Sequence, residues 1–197
     1  MKTKVLLNKY RKDGALMKLG IYPLEAVNNN LISIGSKALN LAKLIQNNIL
    51  VPNGFVISFE LFGDGQLTPS IISEIESLIK KEKLYAVRSS AMVEDCENES
   101  WAGQFESFLN IPYNEIIEKI VECHNSKKAR AISYGLKNQD FGISVIVQEM
   151  VKADYAGVLF TKNPIIGRDE MVTEFIEGLG EDLVSGRKDP ERIIIKK

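Results

Sequence analysis

The sequence predicts an α+β protein, and three patterns predict it. Apolar residues recur at helical spacing in three stretches. Short apolar runs bounded by turn residues mark buried strands between them, and the C-terminal part is punctuated by glycines as short strands joined by tight turns would be. With 197 residues, 45% of them hydrophobic, the chain can bury a substantial core in one good-sized domain or two small ones. Its 25 Lys and Arg against 26 Asp and Glu leave a net charge of −1. No global field exists to recruit nucleic acid or an anionic membrane, so any anion binding must be local. The two cysteines, Cys96 and Cys123, have neither metal-site spacing nor the density of a secreted scaffold and read as reduced thiols. The opening MKTKVLLNKYRKDG is too short in apolar residues for a signal peptide, and no stretch approaches the ~20 a membrane helix needs. The expectation is a cytoplasmic protein with no nucleic-acid or membrane partner.

Taken in order, residues 1 to about 30 hold scattered apolar positions, the basic cluster Lys9-Tyr10-Arg11-Lys12 and the run Asn28-Asn29-Asn30. They predict a lead-in strand or arm, with the basic cluster a solvated face. From Ile34 the chain reads turn, helix, turn, strand. Ala38, Leu41, Leu44 and Ile45 repeat at helical spacing, Ser36 stands where a cap is wanted, and Pro52-Asn53-Gly54 punctuates before Phe55–Ile57. A lysine just behind a glycine turn at a helix start sits where backbone donors and the helix dipole favour anions. Lys37 is therefore a candidate phosphate ligand, although the P-loop spacing is absent and a solvated lysine is the alternative.

Thr68-Pro69 opens an amphipathic helix through Ile71, Ile72, Ile75, Leu78 and Ile79, leading into a buried strand at Leu84–Val87. Residues 114–135 predict a longer helix with Ile117, Ile120, Val121 and His124 along one stripe. His124, the only histidine, continues that apolar stripe and is expected to be structural, with no catalytic duty. Ile143–Val151 reads as a buried strand running into a linker, and a last strand is expected at Arg192–Ile195.

The densest chemistry lies in Tyr85–Asn110. Arg88 at a strand end offers a permanently charged planar fork suited to two phosphate oxygens, and Ser89 and Ser90 add hydroxyl and backbone donors. Ala102-Gly103-Gln104 lets the backbone approach a ligand with no side chain between. The alternative is an ordinary strand end at which Arg88 and the serines cap a turn and pair with Glu94 or Asp95.

Together, Ala86–Ala91 (AVRSSA), Glu94-Asp95, Ser100-Trp101-Ala102-Gly103-Gln104 and Ser107-Phe108-Leu109-Asn110 resemble the nucleotide-binding part of the phosphoenolpyruvate synthase and pyruvate phosphate dikinase family. Upstream, Gly35, Lys37, Asn40, Leu41, Pro52, Gly54 and Phe55 match the family's G-G-K-G-A-N-L and P-V-P-P-G-F segments, with Ser36 and Ala38 replacing glycines. Downstream, ISVIVQEMV resembles V-V-V-Q-x-M-V. Ala156–Thr161 with Asn163-Pro164 and Gly167 resembles S-G-V-M-F-T-x-D-P-x-T-G, Asn163 replacing Asp. Glu174, Gly178-Leu179-Gly180-Glu181, Val184-Ser185-Gly186 and Asp189-Pro190 resemble the following glycine-rich block.

The resemblance implies the N-terminal part of an ATP-grasp-like fold, with two small α/β lobes. Residues 1–112 would form the first lobe with a Lys/Arg phosphate site, 113–175 an inserted lobe with an adenine hinge, and 176–197 strands returning to the first lobe. It implies that Lys37 and Arg88 grip phosphates as catalytic groups. Ser89, Gly103, Gln104 and Ser107 would line the phosphates, and Gln148, Glu149 and Met150 the adenine edge. Glu149 stands where the family commonly has Arg, and Glu174 and Glu181 are second-rank candidates for ribose or metal contacts.

The resemblance covers roughly Ile32 to Lys197 but only the first part of the family's architecture. Full-length members continue into a segment bearing the magnesium ligands and a further phosphate-binding arginine, then a phosphohistidine domain and usually a barrel. The implied function is the ATP-binding portion of a dikinase-type phosphotransferase, passing phosphate from ATP to a histidine on a separate domain, with Mg2+ held by residues absent from this chain. Phosphoryl transfer is mostly positioning and charge neutralisation, so turnover by this chain alone is expected to be negligible. The alternative is a non-catalytic nucleotide-binding or partner-binding remnant of that family.

Overall fold

The computed structural model describes residues 10–12, 15–17, 20–28, 31, 34–91, 107–126 and 142–197. The chain divides into two compact units, Met1–Met150 and Val151–Lys197. The expected lead-in arm is an antiparallel hairpin of β1 (Tyr10–Lys12) and β2 (Ala15–Met17). The body of the first unit is a five-stranded antiparallel sheet of β3 (Ile21–Pro23), β4 (Gly54–Ile57), β5 (Tyr85–Ala91), β6 (Ser107–Ile111) and β7 (Ile143–Glu149), in the order β3-β4-β7-β5-β6.

Helix α1 (Gly35–Gln46) covers one face of this sheet, while α2 (Pro69–Leu78) and α3 (Ile116–Asn125) cover the other. Strand alternation sorts the side chains between them. On the α2/α3 face, Phe55, Val147 and Val87 form one cross-strand row and Ile57, Val145 and Ser89 the next; Ile75, Ile116, Ile120 and Cys123 close the core over them. On the α1 face, Tyr22, Val56, Ile146, Arg88 and Ser107 form a row across all five strands, and Ala38 and Ala42 pack on Val56 and Ile146. His124 is buried, its Nδ1–H donating to the Ile143 carbonyl at 2.8 Å while its ring stacks on Phe62 at 3.9 Å between centroids.

Two local expectations need correction. The strand predicted to end at Val87 runs on to Ala91, paired residue for residue with β7 from Tyr85↔Glu149 to Ala91↔Ile143, and Leu84 lies outside it. Arg88 is thus a mid-strand residue. Ser89 and Ser90 are fully buried, which small hydroxyls tolerate when hydrogen-bonded. Ser36 does not cap α1: the helix starts at Gly35, with Ile34 in the cap position, no side-chain cap bond there and Ser36 inside the first turn. Pro69 opens α2 as expected. Of the long helix predicted at 114–135, Ile116–Asn125 is helical and residues 127–135 lie outside the described residues.

The second unit is an antiparallel sheet of β8 (Tyr155–Phe160), β9 (Glu170–Glu177) and β10 (Glu191–Lys196), in the order β10-β9-β8, with a four-residue helix α4 (Glu181–Val184) between Gly180 and Gly186. The turn between β8 and β9 is built on Asn163. Its Oδ1 accepts the amides of Ile165 and Ile166, and its Nδ2 donates to Glu170. An amide side chain, unlike a carboxylate, can satisfy both kinds of partner.

The division at Met150/Val151 differs from the boundaries expected near 112 and 175. The reason is β7, which was expected in the inserted lobe but lies at the centre of the first unit's sheet, between β4 and β5 and buried from Ile143 to Gln148. Among the described residues no helix is long and apolar enough to cross a membrane.

Candidate nucleotide site

The first turn of α1 meets the second half of β5. Gly35 begins the helix with φ +78°, a left-handed conformation that favours glycine, and a Cβ there would stand 2.5 Å from the Ser90 carbonyl oxygen. The Ala38 amide, in the first turn of the helix, donates to Ser90 Oγ at 3.1 Å in a buried bond. Lys37 Nζ donates to the Ser89 carbonyl at 3.0 Å, which fixes the half-buried ammonium beside β5. Arg88, also half-buried, points to the same side of the sheet by alternation, with Ser107 opposite it on β6. Two cationic side chains and the helix N-terminus therefore share one face. That arrangement suits an anion with several oxygens.

The other expected ligands distribute differently. Ser89 contributes its carbonyl to Lys37, but its own side chain is on the α2/α3 face and fully buried, so its hydroxyl does not join Arg88. Gln148 is on the α1 face, two positions along β7 from the residue opposite Arg88, and its Nε2 donates to the Pro52 carbonyl at 3.3 Å. The Glu149 amide donates to Asn53 O at 2.8 Å and the Met150 amide to Leu84 O at 2.8 Å, so both N–H groups hold the turn before β4 and the approach to β5. The Glu149 carboxylate accepts from Lys83 Nζ, and this hydrogen bond raises the Lys83 pKa above the ordinary lysine value. Glu149 also borders a pocket of about 210 Å3, together with Glu25, Asn53, Phe55, Leu78 and Tyr85, at the sheet end where β4 and β5 begin.

Gly103 and Gln104 lie outside the described residues, as do Glu94, Asp95 and Cys96. Glu174 is bonded to Arg192 across β9 and β10, Arg192 Nε standing 2.8 Å from its carboxylate, and Glu181 pairs with Arg187 at 2.8 Å. Among the described residues no group of three or more His, Cys, Asp or Glu is placed to hold a metal ion. Those residues alone do not make a magnesium site.

Sequence reasoning ranked Ser90 and Gly35 below their neighbours, yet they carry the contact between α1 and β5. The available signal was alternation: once the strand extends past Arg88, Ser90 must share Arg88's face.

Over residues 64–197 the chain matches the family described as pyruvate phosphate dikinase, AMP/ATP-binding domain. It is 30% identical over 218 residues to a probable phosphoenolpyruvate synthase of Archaeoglobus fulgidus, covering 84% of this chain and 29% of that protein. It is 42% identical over 123 residues to a probable phosphoenolpyruvate synthase of Methanocaldococcus jannaschii, covering 59% and 10%. To an uncharacterized phosphotransferase of Bacillus subtilis it is 30% identical over 194 residues, covering 83% and 23%. The chain spans less than a third of the length of these relatives. The match takes in β5 with Arg88, β7 with Gln148 and the whole second unit, and on it the chain belongs to the pyruvate phosphate dikinase AMP/ATP-binding domain family.

Proposed function

We propose that this chain holds the phosphate-binding half of an ATP site in a dikinase-type phosphotransferase. The observation that carries the reading is the placement of Lys37 and Arg88 on one face of the sheet, with Lys37 fixed to the carbonyl next to Arg88. On this reading the fold is the first part of an ATP-grasp unit. Lys37 and Arg88 grip the phosphates, Ser107 lines them opposite Arg88, and Gly103 and Gln104 are assigned to the phosphates as well. The base is assigned to the end of β7, at Gln148, Glu149 and Met150. Because the Glu149 and Met150 amides already serve Asn53 and Leu84, base recognition there relies on the remaining groups of that strand end. Magnesium ligands, and a histidine that takes the phosphate, are assigned to parts outside this chain, which spans less than a third of the length of its relatives. Without them the chain binds nucleotide and does not turn it over.

The test is calorimetric titration of the chain with ATP and magnesium, beside Lys37→Ala and Arg88→Ala variants shown to be folded. Each substitution is expected to weaken saturable binding about tenfold, the ~1.4 kcal/mol of a lost charged contact. Binding that neither substitution changes rejects the site, and absence of binding at millimolar nucleotide rejects an autonomous half-site.

A further inference from the structure

We propose that Ser90 is a positioning residue that clasps α1 to β5 and so sets the spacing between Lys37 and Arg88; the proposal rests on the nucleotide reading above. Three residues of the first turn of α1 converge on two residues of the strand. Gly35 lies against the Ser90 backbone so closely that a Cβ would be 2.5 Å from its oxygen. Lys37 bonds the Ser89 carbonyl at 3.0 Å, and Ala38 donates to Ser90 Oγ at 3.1 Å. The apolar contacts of α1, through Ala38 and Ala42 with Leu39, Leu41 and Ile45 around Val56 and Ile146, bury surface, but that driving force is non-directional and does not by itself forbid sliding. A hydrogen bond to one named amide does not tolerate it.

Ser90 is also the residue type the position requires. It has no exposed surface, so a larger side chain has nowhere to go, and alanine would leave the Ala38 amide buried without this acceptor. Ser90 is two residues from Arg88 on the same strand and face, so the clasp ties both cations to one rigid segment. Releasing it leaves both charges in place and loosens their separation. A ligand that bridges them through phosphates loses affinity, and one that lacks phosphates does not.

The experiment titrates the full chain and its Ser90→Ala variant with ATP and with adenosine, and follows hydrogen exchange of the Ala38 amide. Ser90→Cys, which keeps the shape and weakens the acceptor, replaces the alanine variant should that fail to fold. The expected result is ATP binding weakened about threefold to tenfold, adenosine binding unchanged and faster exchange at Ala38. A folded variant with unchanged ATP affinity, tested beside a Lys37→Ala variant that loses it, overturns the role of Ser90 and leaves the nucleotide site standing. Equal losses for ATP and adenosine also overturn it, since they mark a general loosening. If the wild-type chain, or both Lys37→Ala and Arg88→Ala, show no dependence on the phosphates, the nucleotide reading itself fails and the role of Ser90 falls with it.

Discussion

Replacing Asn163 by aspartate turns a satisfied turn into a titratable one. Oδ1 of Asn163 accepts from the Ile165 amide at 3.0 Å and the Ile166 amide at 3.2 Å, and Nδ2 donates to Glu170 Oε1 at 2.7 Å. Asn163 is 7% exposed and Glu170 8%, so water does little to relieve the pair. A carboxylate at position 163 keeps the first two bonds and sets an oxygen against Glu170 where the donor now stands. Two full charges at that separation of 2.7 Å repel by about 6 kcal/mol at an effective dielectric constant of about 20. Holding one proton on the pair at pH 7 costs about 4 kcal/mol, from ~1.36 kcal/mol for each of roughly three pH units above an ordinary carboxyl value. Protonation is the cheaper route and remakes the hydrogen bond, so Asn163→Asp is expected to destabilise the turn by about 3–4 kcal/mol at pH 7.

The sign follows from linkage. The new carboxyl has a folded pKa above its unfolded one, so the deficit is nearly absent near pH 4 and grows as pH rises toward the folded value. Hydrogen exchange of the Ile165 and Ile166 amides measures it, read as the ratio of variant to wild-type rates at each pH. That ratio should be about a hundred or more at pH 7 and within a few-fold at pH 4.5. A ratio near one at pH 7, or the same large ratio at both pH values, refutes the reasoning.

Gly35→Ala forces a Cβ to within 2.5 Å of the Ser90 carbonyl at φ +78° and is expected to cost about 1–3 kcal/mol in a urea melt; wild-type stability would show that the start of α1 can shift freely. Glu149→Gln removes the hydrogen bond that raises the Lys83 pKa above 10.5. For a lysine raised in the folded state, the stabilisation is complete below the unfolded value and is lost as pH rises through the folded one. The stability difference between wild type and Glu149→Gln should therefore hold steady from about pH 7 to 9 and shrink only above the ordinary lysine range; shrinkage already between pH 7 and 9 rejects the pairing.

Much of the fold was legible because periodicity and punctuation agreed locally. Ala38, Leu41 and Ile45 announced α1, Pro69 opened α2 within a residue of its place, and Phe55–Ile57, Ile143–Val151 and Arg192–Ile195 found β4, β7 and β10. What failed depended on distant partners. The second half of β5, Arg88-Ser89-Ser90-Ala91, has no apolar signal of its own and is a strand because β7 pairs with it across more than fifty residues of sequence. Ser36, expected to cap, lies inside the first turn of α1, and the side-chain bond that this turn makes to β5 comes from Ser90, 52 positions from Ala38. The four residues of α4 are too few to show a period.

The site was legible as a set of residue types and illegible as a set of directions. Nothing in the string Arg88-Ser89-Ser90 distinguishes its two serines, and a reading that ends the strand at Val87 gives both the same freedom to turn toward a ligand. Extending the strand removes that freedom: Arg88 and Ser90 take one face, Ser89 the other, and the hydroxyl expected to line the phosphates is sealed against the α2/α3 core. Ser89 still serves the site, but through a carbonyl that any residue could supply, so its side chain answers to packing while Ser90's answers to α1. Two adjacent and identical residues thus differ in what substitution does to them. At Ser89 the group that meets Lys37 is the main-chain carbonyl, whereas at Ser90 the group that meets Ala38 is the side-chain hydroxyl.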